Sequence, residues 1–200
     1  MKIVVVGLGY VGMSNAVLLA KRNEVIGVDL DNNKVQLVNA RKSPIVDDEL
    51  SQFLNKQDLN LIAQVDLRNA VSGADYVLVC VPTNYDETKN QFDTGSVEAI
   101  VKEVVKYEPK VSVVIKSTIP VGFTDYLIEK NPGAKIFFSP EFLREGRALH
   151  DNLYPSRIVI GSNCEPAKIF ARLMTGASNL KDVNLILTNN REAEAIKLFS

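Results

Sequence analysis

The chain has 200 residues, 46% hydrophobic and 24% charged, which suits one large globular domain and excludes collagen-like, disordered and disulfide-scaffold classes. A net charge of −1 gives no basic field for nucleic acid or an anionic membrane surface, and two cysteines, Cys80 and Cys164, are too few for a disulfide framework and suit a reducing compartment. No apolar stretch approaches membrane-spanning length and no secretory pattern opens the chain, so the expectation is a cytoplasmic protein with neither membrane nor nucleic-acid partners.

Short apolar runs rich in β-branched residues recur at 3–6, 25–28, 76–81, 111–115, 136–138, 158–160 and 183–187. Most are continuous and not alternating, as parallel strands covered on both faces should be. Helix-period segments lie between them. The first runs from Val11 to Arg22, with Ala16, Leu19 and Ala20 on a common face, and another from Ser96 to Tyr107. A third runs from Glu165 to Met174, with Pro166 in its first turn. Strand and helix in alternation predict an α/β, doubly wound, mostly parallel sheet with right-handed crossovers. The last segment, Arg191 to Ser200, is amphipathic through Ala193, Ile196, Leu198 and Phe199 and has no C-cap signal. It predicts the start of a longer connecting helix: residues 1–188 form one domain, 189–200 begin the connector, and a further domain lies beyond.

Gly7-Leu8-Gly9-Tyr10-Val11-Gly12 follows the first strand directly and opens the first helix. In that context the glycines give a tight turn, a close backbone approach to a pyrophosphate and close packing of helix on sheet. Tyr10, Val11 and Gly12 lie at the helix N-terminus, where unpaired N–H groups attract phosphate. Asp29 ends the second strand, where a carboxylate accepts hydrogen bonds from a ribose diol and repels a 2′-phosphate. The next cation is Lys34. The motif is that of a Rossmann-type dinucleotide site, and NAD is favoured over NADP. Thr83, after Val81-Pro82 at the end of a strand, could hydrogen-bond the cofactor or be a turn residue. Cys80 reads as a small core residue with nothing basic nearby.

Three later segments go beyond a generic dinucleotide domain: Lys116-Ser117-Thr118-Ile119-Pro120-Val121-Gly122, Ser139-Pro140-Glu141-Phe142-Leu143-Arg144-Glu145-Gly146 and Asp151-Asn152-Leu153-Tyr154-Pro155-Ser156-Arg157. The first two follow buried strands, so a hydroxyl and two carboxylates converge on the ligand-binding edge of the sheet. With the glycine motif and Glu192-Ala193-Glu194-Ala195-Ile196-Lys197, they resemble the UDP-glucose dehydrogenase family over the whole chain.

The resemblance implies oxidation of a sugar C6 alcohol to a carboxylate with two NAD, through an enzyme-bound thioester on a cysteine that neither Cys80 nor Cys164 matches. It implies UDP-glucose as substrate, with GDP-mannose or UDP-N-acetylmannosamine as alternatives, no metal, and a homodimeric longer protein. The chain alone is expected to be a monomer without turnover. Thr118 would orient a water, Glu141 would act as general base, Glu145 would touch cofactor and substrate, and Lys197 would stabilise an oxyanion. The cofactor set is then Gly7, Gly9, Tyr10, Val11, Gly12, Asp29, Lys34, Thr83, Thr118 and Glu145. The sugar nucleotide would lie along Glu141, Phe142, Leu143, Arg144, Glu145 and Lys197.

Spacing alone allows plainer readings. Glu141 and Glu145, four apart, could share the solvated face of a helix. Lys197 could face solvent, and Arg144, Arg147 and Arg157 could be surface cations. His150, the only histidine, is not expected to be catalytic. A different class, an NAD-sensing regulatory domain such as those of potassium transport systems, shares the glycine motif and the later acid but has no reason to carry 139–146 or 151–157.

Overall fold

The computed structural model describes residues 1–56, 58–87 and 91–200. Its strands are β1 (Lys2–Val6), β2 (Glu24–Val28), β3 (Leu61–Gln64), β4 (Tyr76–Val79), β5 (Tyr85–Asp86), β6 (Gln91–Phe92), β7 (Ser112–Ile115), β8 (Lys135–Phe138), β9 (Ile158–Ile160) and β10 (Leu185–Leu187). The helices are α1 (Tyr10–Ala20), α2 (Asn32–Asn39), α3 (Asp48–Lys56), α4 (Leu67–Val71), α5 (Gly95–Tyr107), α6 (Phe123–Lys130), α7 (Ala148–Leu153), α8 (Glu165–Ala177) and α9 (Asn190–Leu198).

Six parallel strands pair in the order β3-β2-β1-β4-β7-β8. The order reverses beside β1, and that switch point opens a crevice at the carboxyl ends of β1 and β4. The continuous apolar run of β1 follows from burial on both sides. Ile3 and Val5 join the core beneath α1 and α8, while Val4 and Val6 join the core beneath α5. On α5, Val97, Val101 and Val104 are fully buried on one face, each worth about 1.5–3 kcal/mol.

The fold departs from the sequence reading in several places. Helix α1 has no polar face: every residue from Gly12 to Ala20 is buried, because it is wedged among the sheet, α3, α7 and α8. Strand β3 was not expected, since its Leu61-Ile62-Ala63-Gln64 alternates buried and open positions as the sheet's edge. The runs at 158–160 and 183–187 do not join the main ladder but form a separate parallel pair, β9 with β10. It is tied to β8 through the Gly161 N–H donating to the Phe138 carbonyl at 2.7 Å. Helices α2, α3 and α4 begin at polar caps, with Asp31, Asp47 and Asp66 accepting the backbone N–H groups of Asn33, Leu50 and Asn69. Helix α9 packs on the domain through buried Ala193 and Glu194, while Phe199 beyond its end is 88% exposed.

Candidate functional site

The glycine loop is built around one close approach. Gly7 adopts φ +94°, and a Cβ on Gly12 would fall 1.7 Å from the Gly7 carbonyl oxygen. Only hydrogen fits there, so the loop turns tightly and α1 begins hard against it. Gly9 caps α1 in extended backbone with no side-chain hydrogen bond, which leaves the N–H groups of its first turn, Tyr10 to Gly12, directed to the crevice.

Asp29 organises the other wall. Its Oδ2 accepts the Leu8 N–H at 2.7 Å and pairs with Lys34 Nζ at 3.3 Å, and its Oδ1 accepts the Asp31 N–H at 2.9 Å. The cation noted at Lys34 therefore touches the acid. Beside them lies a cavity of 710 Å³ bounded by Gly7, Asp29, Leu30, Leu67, Pro82, Ile100 and Tyr107 among others. Leu30 is almost wholly exposed over it, and with Leu67, Pro82 and Ile100 it gives the cavity an apolar side suited to a planar aromatic ring.

Across the switch point, the Thr83 hydroxyl donates to the Thr118 carbonyl at 2.6 Å, joining the loops after β4 and β7. Ser117 Oγ donates to the Val81 carbonyl at 2.7 Å, a second bond between them. Thr118 is half-buried at this junction.

Glu141 and Lys197 meet. Lys197 Nζ lies 2.9 Å from Glu141 Oε1 and donates to the Glu141 carbonyl at 3.0 Å. The Glu141 side chain is 9% exposed, and its Oε2 is buried without a hydrogen-bond partner. A carboxylate with one oxygen on an ammonium and the other unpaired is poised to accept a proton or hydrogen bond. Residues 139–144 are irregular and Glu145 lies in a turn, so the shared helix face suggested by the spacing of Glu141 and Glu145 does not form. Glu145 is exposed and makes no ion pair among the described residues, and the structure does not bring it onto Glu141.

Phe142 and Leu143 are half-buried beside this pair and line a cavity of 30 Å³ with Lys116, Asn152 and Arg157. The Arg144 guanidinium is held by Asp151, Nη2 to Oδ1 at 2.6 Å and Nε to Oδ2 at 3.1 Å, and the Arg144 N–H donates to the same carboxylate. The hydrogen bond and charge of Arg144 hold the Asp151 carboxyl below its ordinary 3.8.

Three participants carried no role in the sequence reading. Arg157 is half-buried: its guanidinium lies 4.0 Å from the centre of the Phe142 ring, and its Nε is buried without a partner. Asn152 donates to Ser14 Oγ at 2.9 Å, fixing α7 to α1. Lys116 is buried and donates to the Ser139 carbonyl at 3.0 Å. Burial pushes its pKa down, against the pull of Cys80 and Glu141. Lys116 also corrects the expectation that nothing basic lies near Cys80. Burial nonetheless dominates, and the Cys80 thiol is pushed up to about 12. His150 Nδ1 sits 3.1 Å from Glu49 Oε2.

Residues 1–175 match the NAD binding domain of the UDP-glucose/GDP-mannose dehydrogenase family. The chain belongs to this family. Among its relatives, a UDP-glucose 6-dehydrogenase of Streptococcus pneumoniae is 45% identical over 206 residues, covering 100% of the chain and 52% of that protein. Another from Campylobacter jejuni is 44% identical, covering 100% of the chain and 51% of that protein. The solved ternary complex of a GDP-mannose dehydrogenase from Pseudomonas aeruginosa matches with a TM-score of 0.86 at 31% identity, over 100% of the chain and 49% of that chain. The chain thus spans about half the length of the curated relatives it matches. The residues present fit the family's cofactor: the close approach of Gly7 and Gly12, the bare first turn of α1, the Asp29 carboxylate and the apolar cavity together suit NAD. No described helix is long and apolar enough to cross a membrane.

Proposed function

We propose that this chain is the NAD-binding part of a longer UDP-glucose 6-dehydrogenase, with residues 1–188 as the dinucleotide domain and α9 as the start of a connector. The observation that carries the reading is the Glu141–Lys197 pair beside a dinucleotide crevice, with one Glu141 oxygen unpaired. NAD, when bound, supplies the hydride acceptor. The first turn of α1 with Gly7 and Gly9 holds its pyrophosphate, Asp29 with Lys34 its adenosine ribose, and the strip around Leu30 its adenine. Thr83 and Thr118 border the reacting end.

The sugar nucleotide runs along Glu141 to Glu145, with its C6 carbon near Glu141 and Lys197. Lys197 stabilises negative charge on the oxygen at C6, because an ammonium held in a dry site needs no reorganisation to meet it. Glu141 takes a proton from the water, oriented by Thr118, that attacks the thioester carbon at C6 and breaks its C–S bond, releasing the carboxylate and the thiolate of the enzyme's cysteine. Phe142 and Leu143 exclude bulk water. Arg144, whose guanidinium and N–H are both held by Asp151, is proposed to shape the segment along which the sugar nucleotide runs. Glu145, exposed in this structure, would reach its ligand only from the open side. UDP-glucose is preferred to GDP-mannose because both curated relatives at 44–45% identity are named for it.

The test is NADH formation by the full-length protein carrying this chain, against a panel of nucleotide sugars. UDP-glucose should be the best substrate by kcat/KM. A clear preference for another sugar nucleotide would move the assignment within the family, and no NADH with any of them would remove it.

A further inference from the structure

Helix α9 turns a stripe of polar side chains toward the domain, beside its buried Ala193 and partly buried Ile196. Asn190, Glu194 and Lys197 are spaced four and then three positions apart, so they stand one above another on the helix. Each has a fixed partner on a different element.

Asn190 Oδ1 accepts the Phe138 N–H at 3.0 Å at the end of β8, where the main ladder gives way to β9. Its seat is close: a Cβ at Gly161 would lie 2.7 Å from Asn190 Oδ1 and 2.9 Å from its Cα. Glu194 is fully buried. Its Oε2 accepts the Gly122 N–H at 2.6 Å, and its Oε1 accepts the Thr124 N–H at 2.9 Å and the Thr124 hydroxyl at 2.6 Å. It thereby caps the first turn of α6 and grips the loop that leads from Thr118 through Pro120 to Gly122. Lys197, at the far end of the stripe, reaches Glu141.

A buried carboxylate is a poor source of stability, since an apolar residue of similar volume does as well. What it supplies is direction. An apolar face would let α9 rotate or slide by fractions of a turn, whereas three hydrogen-bonded contacts on three elements fix its rotation and its axial position together.

We infer that Asn190 and Glu194 are positioning residues that lock the register of α9, delivering Lys197 to Glu141 and tying it to the Thr118 loop. The lock itself stands on these contacts. Only the use made of Lys197 rests on the function proposed above.

The test is lysine acylation mapped by mass spectrometry, with exposed Lys102 as the internal reference. Glu194→Gln keeps the volume but sets an amide NH₂ against the N–H of Gly122 or Thr124. Gly161→Ala disturbs the lock from the other side by displacing Asn190. In either variant Lys197 should react about tenfold faster relative to Lys102, as local opening of α9 becomes easier. NADH affinity should stay within about twofold of the parent, because the glycine loop and Asp29 lie on other elements. In the full-length protein kcat should fall about tenfold with KM for NAD unchanged, and Thr124→Ser, which keeps the hydroxyl, should behave as the parent. Where circular dichroism shows a variant unfolded, Thr124→Val, which removes one of the three bonds to Glu194, takes its place, and Lys197 should again react faster. Lys197 remaining as protected as in the parent in the folded variants would overturn the lock. Normal turnover in Lys197→Ala would instead overturn the chemical role of Lys197 and leave the lock intact.

Discussion

Replacing Asp29 with Asn should both weaken NADH binding and erode the preference for NADH over NADPH. The carboxylate accepts two backbone N–H groups, from Leu8 at 2.7 Å and Asp31 at 2.9 Å, and pairs with Lys34 at 3.3 Å. An amide of the same shape has one acceptor oxygen, so one of those N–H groups faces an NH₂. That costs about 1–3 kcal/mol of stability, which a thermal melt would register. Toward the cofactor, a hydrogen bond to a charged acceptor is worth about 1.5–3 kcal/mol, so the loss of one ribose contact should raise the Kd for NADH about tenfold to a hundredfold. NADPH should move the other way. Two unit charges about 4 Å apart at an effective dielectric of about 20 interact by roughly 4 kcal/mol before salt screening. Removing the carboxylate relieves that repulsion and frees Lys34 to meet the 2′-phosphate. Calorimetric titration of parent and variant with both nucleotides measures the ratio of the two affinities. An Asn variant that melts cooperatively yet keeps the parental ratio would refute the assignment of Asp29 to the ribose.

Gly12→Ala puts a methyl group 1.7 Å from the Gly7 carbonyl, so NADH binding should fall below detection and the melting temperature should drop. Parental NADH affinity by calorimetry would contradict the packing described. Iodoacetamide in mild alkali should label exposed Cys164 and spare Cys80, whose thiol burial raises to about 12 from an ordinary 9.0. Since the folded state holds that proton more tightly, this thiol's contribution to stability declines as pH rises beyond 9.0, and equal labelling of both cysteines in the native chain would contradict its burial. Asp151, held below 3.8 by Arg144, stabilises the fold above the ordinary carboxylate value and loses that contribution as pH falls through its folded value. Arg144→Ala should therefore reduce stability at neutral pH and flatten its dependence on acid in melts, and an unchanged acid limb would show that the pair is energetically idle.

The dinucleotide half of the site was legible because its chemistry is local. Three glycines, a helix start and an acid at the end of the next strand must follow one another at short range, and 7–12 with Asp29 do so. The two-faced burial of β1 was legible for a similar reason, as an apolar run without alternation. Glu141 and Lys197 could be named from resemblance, but their meeting depends on where α9 docks, and nothing within either segment encodes that. Asn190 and Glu194 carry that docking through partners 52 and 70–72 positions away, and in sequence they are polar residues in an amphipathic pattern. The face read as apolar proved half right: Ala193 is buried, and Phe199 is exposed. The pairing of Arg144 with Asp151 and the stacking of Arg157 on Phe142 likewise arise only when the loop after β8 folds back over α7. Strand β3 is hard to read in sequence because an edge strand needs only one covered face.

Rapid mixing of full-length Glu141→Gln enzyme with NAD and UDP-glucose, with mass analysis of the quenched protein, tests the role of the Glu141–Lys197 pair most directly. Gln keeps the side-chain shape but cannot accept the proton of the attacking water. The result predicted is a burst of NADH followed by slow turnover, with the sugar nucleotide retained on a cysteine of the enzyme. Steady turnover at the parental rate with no retained sugar would contradict it, and Glu141 would then be only the carboxylate that anchors α9 to the loop after β8.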